Sequence, residues 1–142
     1  MEAIYDWVRE HVKYKMGSLK GAVAALKDGD GECEDLSSLF IAICRAAGIP
    51  ARTVWVPGHC YPEFYLLDDK GAGHWFPCQA SGSRAFGCIP ETKPILQKGD
   101  NFRSPHSNNP RDRQRYLAEY LKGKPTPGGG KPSVRWVREV VN

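Results

Sequence analysis

The chain has 142 residues, 41% hydrophobic and 25% charged, which suits one globular domain around a single core. A net charge of +4 is too mild to argue for nucleic-acid binding, and no apolar run approaches the ~20 residues of a membrane span. Five cysteines, an odd number with no CxxC spacing, point away from a disulfide scaffold and toward a mostly reduced domain with one functional thiol.

The first residues, MEAIYDWVREHV, are amphipathic and charged rather than basic-then-apolar, so they do not read as a secretory signal. The chain opens abruptly on a helical pattern, as a domain excised from a longer protein would, which leaves its compartment open. Ile4, Trp7, Val8, His11 and Val12 recur at helical spacing and predict a helix over 2–15. Ser18 is the expected cap of a second, short helix running to about Lys27. Asp28, Gly29, Asp30 and Gly31 form a turn cluster. The strongest helix runs from Cys33 to Ala47, with Leu36, Leu39, Phe40, Ile43 and Ala47 on one apolar face. Gly48 and Pro50 stop it.

Strand-like runs follow at Arg52–Val56, His59–Leu67 and His74–Gln79, with a Pro57-Gly58 turn between the first two and a polar hairpin at 68–73. Another short strand is expected near Arg84–Ile89. From Pro90 to Arg115 the sequence is irregular and reads as a long segment wrapping the domain or covering a site. Asp112–Lys122 reads as a short helix. These elements make an α+β domain over 1–122, then a linker by composition at 123–132 (GKPTPGGGKP), then a strand or tail over 133–142.

Cys33 stands at the start of the best helix, just after a glycine-bearing turn. Unpaired N–H groups and the helix dipole favour a thiolate there, and the same N–H groups can bind an oxyanion during acyl transfer. Glu32, Glu34 and Asp35 surround the thiol and are expected to raise its pKa by like-charge repulsion. The thiolate then needs a cationic partner, usually histidine. His11 lies on the apolar-rich face of the first helix and reads as a packed core residue, and His106 falls in the loop-like region. Between His59 and His74 spacing alone does not choose. Strand alternation puts His59, Tyr61, Glu63 and Tyr65 on one face, and Cys60, Pro62, Phe64 and Leu66 on the other. Cys44 reads as a small core hydrophobe, and Cys60 and Cys78 as inward-pointing residues directed away from His59 and Gln79. A zinc site from Cys60, Cys78, His74 and Cys88 lacks the expected short ligand spacing. The basic C-terminal half has no interleaved stacking aromatics and reads as a solvated face.

The run from Ala25 to Arg52 resembles the nucleophile segment of the transglutaminase-like superfamily. That segment has a G-x-C-x-(D/E) start, an apolar helix and an R-x-x-G-I-P-A-R exit. The matching residues are Gly31, Cys33, Asp35, Arg45, Gly48, Ile49, Pro50, Ala51 and Arg52. Gly58-His59-Cys60-Tyr61-Pro62-Glu63-Phe64-Tyr65 is similar to the family's G-H-A-W-x-E-V-Y strand, and Gly73-His74-Trp75-Phe76-Pro77-Cys78-Gln79 to its G-W-x-P-x-D strand. The resemblance covers roughly residues 1–80. It implies a papain-like fold with the nucleophile helix packed on an antiparallel sheet, and it identifies His59 as the base. It also implies thiol-dependent acyl transfer on a peptide or protein amide, with hydrolysis favoured over transglutamination and no metal or cofactor needed. The departure is Gln79, where the family usually has aspartate. An amide oxygen can orient an imidazole, as asparagine does in papain-like proteases, but it lacks the charge that stabilises an imidazolium. The alternative reading is therefore a catalytically inactive binding or scaffold domain on the same frame. Glu63 is a candidate substitute acid by strand face, at a spacing of ~6.8 Å from His59. Tyr14, Trp55 and Trp75 are candidate oxyanion partners by chemistry alone.

Overall fold

The computed structural model describes residues 1–104, 107–117, 128, 135 and 137. It divides into two compact units, Met1–Asp100 and Asn101–Asn142.

The first unit begins with helix α1, Glu2–His11. It is shorter than the helix expected over 2–15. Val12 turns extended, and Lys13–Tyr14 forms a short strand, β1, that pairs in parallel with β2, Asp30–Gly31. Pairing with a distant segment overrides the local helical pattern. Helix α2 spans Ala22–Asp28, and the residue before it is Gly21 rather than the expected Ser18. The reason lies in Asp35, whose carboxylate accepts from the Lys20 and Gly21 amides at 3.1 and 2.7 Å. Those two amides are held outside the helix. Gly29, at φ 73°, closes α2 in the left-handed conformation that glycine adopts without strain.

Helix α3 spans Cys33–Ala46. Its apolar face joins the main core, where Leu36, Leu39, Phe40, Ile41 and Cys44 pack with Tyr5, Val8 and Val12 of the first helical segment and with Phe64 of the sheet. Phe40 and Phe64 meet edge to face with ring centroids 6.1 Å apart. Gly48 follows the helix at φ 76°. Arg45 donates to the Ala51 carbonyl at 2.8 and 3.0 Å and makes a two-point contact with Asp100, so the helix exit is tied to the strand that follows it.

The sheet holds β3 (Ala51–Val56), β4 (His59–Leu67), β5 (Gly73–Pro77) and β6 (Gln97–Lys98), in the order β5-β4-β3-β6. All neighbours are antiparallel. The fold of this unit is thus α+β, helices with an antiparallel sheet. A side chain at Gly73 would run into the Tyr65 ring, which lies over the glycine and would have to swing away. The strand expected at Arg84–Ile89 is reduced to a single bridge, Cys78 with Phe86. Phe86 turns inward instead and packs on Tyr5 and Phe64, each at 5.2 Å.

In the second unit, β7 (Phe102–Arg103) pairs with β8 (Arg113–Gln114). Residues 112–117 therefore do not form the start of the expected helix, and 118–122 lie outside the described residues. Apart from Gly128, Arg135 and Val137, so do the expected linker and the C-terminal strand or tail. Among the described residues, no helix is long and apolar enough to cross a membrane.

Candidate active site

Cys33 is the first residue of α3, and its position is set from behind. The buried Asp35 carboxylate, 1% exposed, accepts three backbone N–H groups: Lys20, Gly21 and, at 3.0 Å, Glu32. This locks the loop that precedes α2 onto the turn that precedes α3. Gly31 completes the lock. A Cβ at residue 31 would lie 2.9 Å from the Asp35 Cβ and 3.2 Å from that of Ala25. The glycine and aspartate flanking Cys33 are thus scaffolding for the turn.

His59 is placed by the two-residue turn Pro57-Gly58, with Gly58 at φ 70° and His59 paired to Val56. Gln79 lies two residues beyond β5. Its N–H donates to the Ala85 carbonyl at 2.8 Å, and its carbonyl accepts from the Arg9 guanidinium of α1 at 2.8 Å. With its backbone held on both sides, Gln79 brings its amide oxygen within 3.1 Å of His59 Nε2. The three residues singled out from the sequence, Cys33, His59 and Gln79, come together. His74 does not join them. It sits on the exposed hairpin, 3.1 Å from Asp68.

The Cys33 thiol is pulled down to about 4. The Cys60 side chain hydrogen-bonds to it, the His59 imidazole does so next, and the Cys60 N–H adds a third contact against the opposing effect of burial. His59 is raised by the same contact with Cys33, then by Gln79 and by the charges of Cys33 and Glu91, against burial. Both shifts favour a thiolate facing an imidazolium. Since Nε2 is taken by Gln79, Nδ1 is the ring nitrogen left for the sulfur.

Two expectations are overturned here. Despite the acidic residues around it, the Cys33 thiol is lowered, not raised. Asp35 is turned back onto three backbone amides, Glu32 accepts from the Gly17 N–H at 2.6 Å, and the hydrogen bonds from Cys60 and His59 outweigh the acidic surroundings. Cys60 is not directed away from the site. It is buried, and its thiol, pushed up by the contact with Cys33 and by burial, faces the Cys33 sulfur. Ser37 Oγ of α3 lies 3.5 Å from the Cys60 carbonyl, so the helix lies along this stretch of β4. Cys44 and Cys78 are buried core residues, both raised by burial, Cys44 to about 11.

Glu63 is engaged elsewhere. It binds Arg52 at 2.9 Å and Lys98 at 2.7 Å. The carboxylate that does reach this cluster was not singled out from the sequence. Glu91 accepts from the Gln79 amide nitrogen at 3.4 Å. Of the three aromatic candidates, Trp55 donates its N–H to the Gly99 carbonyl at 2.9 Å, and Trp75 lies under the Arg52 guanidinium at 3.8 Å. Tyr14 is beside the site. It is exposed, and its phenol is raised by Glu32, then by burial and by the charge of Cys33.

A family model of the transglutaminase-like superfamily matches residues 1–80, the stretch that carries Cys33, His59 and Gln79. The chain belongs to the transglutaminase-like superfamily. Searches of curated proteins and of solved structures return no match. Within this superfamily, several motif residues of the chain have a structural task. Arg45 ties α3 to β3, Arg52 bridges Glu63 and Trp75, and Gly31 admits Asp35.

Proposed function

We propose that this transglutaminase-like domain performs cysteine-dependent acyl transfer on an amide bond, with Cys33 as nucleophile, His59 as general base and then acid, and Gln79 orienting the ring. The observation that carries the reading is the meeting of a lowered thiol at a helix N-terminus with a raised imidazole that is held from its far side. The Cys33 thiolate attacks the amide carbonyl. The new oxyanion takes a hydrogen bond from the Cys33 N–H at the start of α3; the Tyr14 phenol, an exposed neighbour, is hydrogen-bonded to Glu32. The imidazolium then gives its proton to the leaving amine, and a thioester forms. Neutral His59 next removes a proton from the acceptor, which attacks the thioester and restores the thiol. Water as acceptor gives a peptidase or amidase; an amine gives a transglutaminase. Hydrolysis is the favoured outcome on the family resemblance; the partial exposure of Cys33 admits either acceptor. The reaction requires no metal or cofactor.

One observation favours a second reading, an inactive binding or scaffold domain. Gln79 lacks the charge that aspartate supplies in the family. Alkylation separates the two. Iodoacetamide labelling of each cysteine is followed by peptide mass from pH 4 to 9, in the native protein and in His59→Ala. Fast labelling of Cys33 well below pH 8, shifted upward in His59→Ala, supports the acyl-transfer reading. Slow labelling with an ordinary thiol midpoint near ~8.5, unchanged by the substitution, supports the scaffold.

A further inference from the structure

The weakness of a Cys–His–Gln site is chemical. A neutral amide can turn either end toward the imidazole. With its oxygen toward the ring, it fixes Nε2 as the protonated nitrogen. With its NH2 toward the ring, it donates to Nε2 and drives the proton to Nδ1. Only the first arrangement leaves Nδ1 with a lone pair for the Cys33 proton. An aspartate has no such ambiguity, because both its oxygens accept.

The structure removes the ambiguity from outside. Glu91 presents Oε1 to the Gln79 amide nitrogen at 3.4 Å. A carboxylate accepts and does not donate, so the NH2 end of the amide belongs on its side. The oxygen end is then turned to His59 Nε2, where it stands at 3.1 Å. Glu91 is itself oriented. Its second oxygen, Oε2, is 2.7 Å from the Lys93 ammonium, which leaves Oε1 for Gln79. Gln79 cannot escape by sliding, since its backbone is pinned to Ala85 and Arg9.

We propose that Glu91 is a positioning residue that acts through Gln79, holding the amide so that His59 keeps its proton on Nε2 and offers Nδ1 to Cys33. The chain His59–Gln79–Glu91 thus returns to the site the carboxylate that position 79 lacks, one side chain further out. This inference rests on the acyl-transfer reading above. Among the described residues, the charged or titratable groups facing His59 are Cys33 of α3, Tyr61 of β4, and Glu91 beyond Gln79; Cys60 faces Cys33, and Lys93 faces Glu91. Glu91 stands at the surface, where solvent screens its charge. Its main effect is on the tautomer, and its effect on the imidazolium is smaller.

The test is nitrogen NMR of the full chain with 15N-labelled histidine, with the His59 signals identified by their loss in His59→Gln. The proteins compared are the native chain, Glu91→Gln, Cys33→Ala and the double variants Cys33→Ala/Glu91→Gln and Cys33→Ala/Lys93→Met. In Cys33→Ala above pH 8 the His59 ring is neutral and free of the thiolate, and it is expected almost wholly as the Nε2–H tautomer. In Cys33→Ala/Glu91→Gln a mixture with Nδ1–H is expected. With Cys33 present, Glu91→Gln is expected to lower the pH at which His59 loses its proton by about half a unit. Lys93→Met, made in the Cys33→Ala chain, leaves Glu91 able to turn and is expected to give an intermediate tautomer ratio. An unchanged tautomer in Cys33→Ala/Glu91→Gln overturns the proposal, even if the His59 titration of Glu91→Gln is shifted by the lost charge. If His59 titrates identically with and without Cys33, the thiolate–imidazolium pair itself is absent and the acyl-transfer reading falls, whatever Glu91 does.

Discussion

Arg9 of the first helix donates to the Gln79 carbonyl at 2.8 Å, across 70 positions of sequence. The same guanidinium reaches the Gly82 carbonyl at 2.7 Å. Through these two bonds α1 fixes the segment that holds the histidine. Arg9→Met is expected to lower stability by about 2 kcal/mol, the usual size for a part-buried charged donor. It is also expected to slow Cys33 alkylation at pH 6 several-fold, because Gln79 loses one of its two backbone anchors. Thermal denaturation and peptide-resolved labelling measure the two effects; an unchanged labelling rate would confine Arg9 to a structural role.

Gln79→Asp tests whether the family's carboxylate still fits. The imidazolium of His59 is stabilised by a negative neighbour, so its pKa is expected to rise further. The sign follows from the base. A raised histidine pKa extends the protonated form to higher pH, so the thiolate–imidazolium window lengthens on its alkaline side. The new carboxylate also faces Glu91 without an amide between them. The full gain is therefore expected only in Gln79→Asp/Glu91→Gln, where the repulsion is removed. The alkaline limb of the labelling profile reads both variants.

Cys60→Ala separates the two donors to Cys33. A thiol is a weak hydrogen-bond donor, whereas an imidazolium brings a full charge. The midpoint for Cys33 labelling is expected to rise by less than about one unit in Cys60→Ala and by more in His59→Ala. Equal shifts would mean that the thiol pair, not the imidazole, governs the reactivity of Cys33. Cys44, raised by burial to about 11, and the buried Cys78 stay unlabelled in the folded chain and serve as controls.

Gly31→Ala places a methyl 2.9 Å from the Asp35 Cβ and 3.2 Å from the Ala25 Cβ. Neither neighbour can yield freely, because Asp35 is tied to three amides and Ala25 is fully buried. The variant is expected to lose about 1–3 kcal/mol and to disturb the turn before Cys33. Urea denaturation with an unchanged midpoint would show that the turn absorbs the methyl.

The Cys33 helix was legible because its signals agree: an apolar face, a glycine-bearing entry, and a Gly48/Pro50 exit. His59 was legible only with the motif around it, since alternation and turn residues also admit His74. The partners that steady the site were not legible. Arg9, Ala85 and Glu91 meet Gln79 through contacts spanning 70, 6 and 12 positions, and nothing in their local sequence marks them. The two-residue strands escaped for a related reason. A pair such as Lys13–Tyr14 is extended because Asp30–Gly31 lies beside it, not because of its own propensity. Ser18 had the chemistry of a cap, but the Asp35 carboxylate claimed the amides that would have continued the helix back toward it.

The turn Pro57-Gly58 is only two residues long, and Val56 pairs with His59 directly across it. A strand presents successive side chains to opposite faces. One residue added to or taken from this turn would either shift His59 to the far side of the sheet or break its rung with Val56. A change of loop length that slips the register therefore carries His59 away from Cys33 and Gln79. The 68–72 connection at the other end of β4 carries none of Cys33, His59 and Gln79, so it is the place on this hairpin ladder where insertions can accumulate without moving the chemistry.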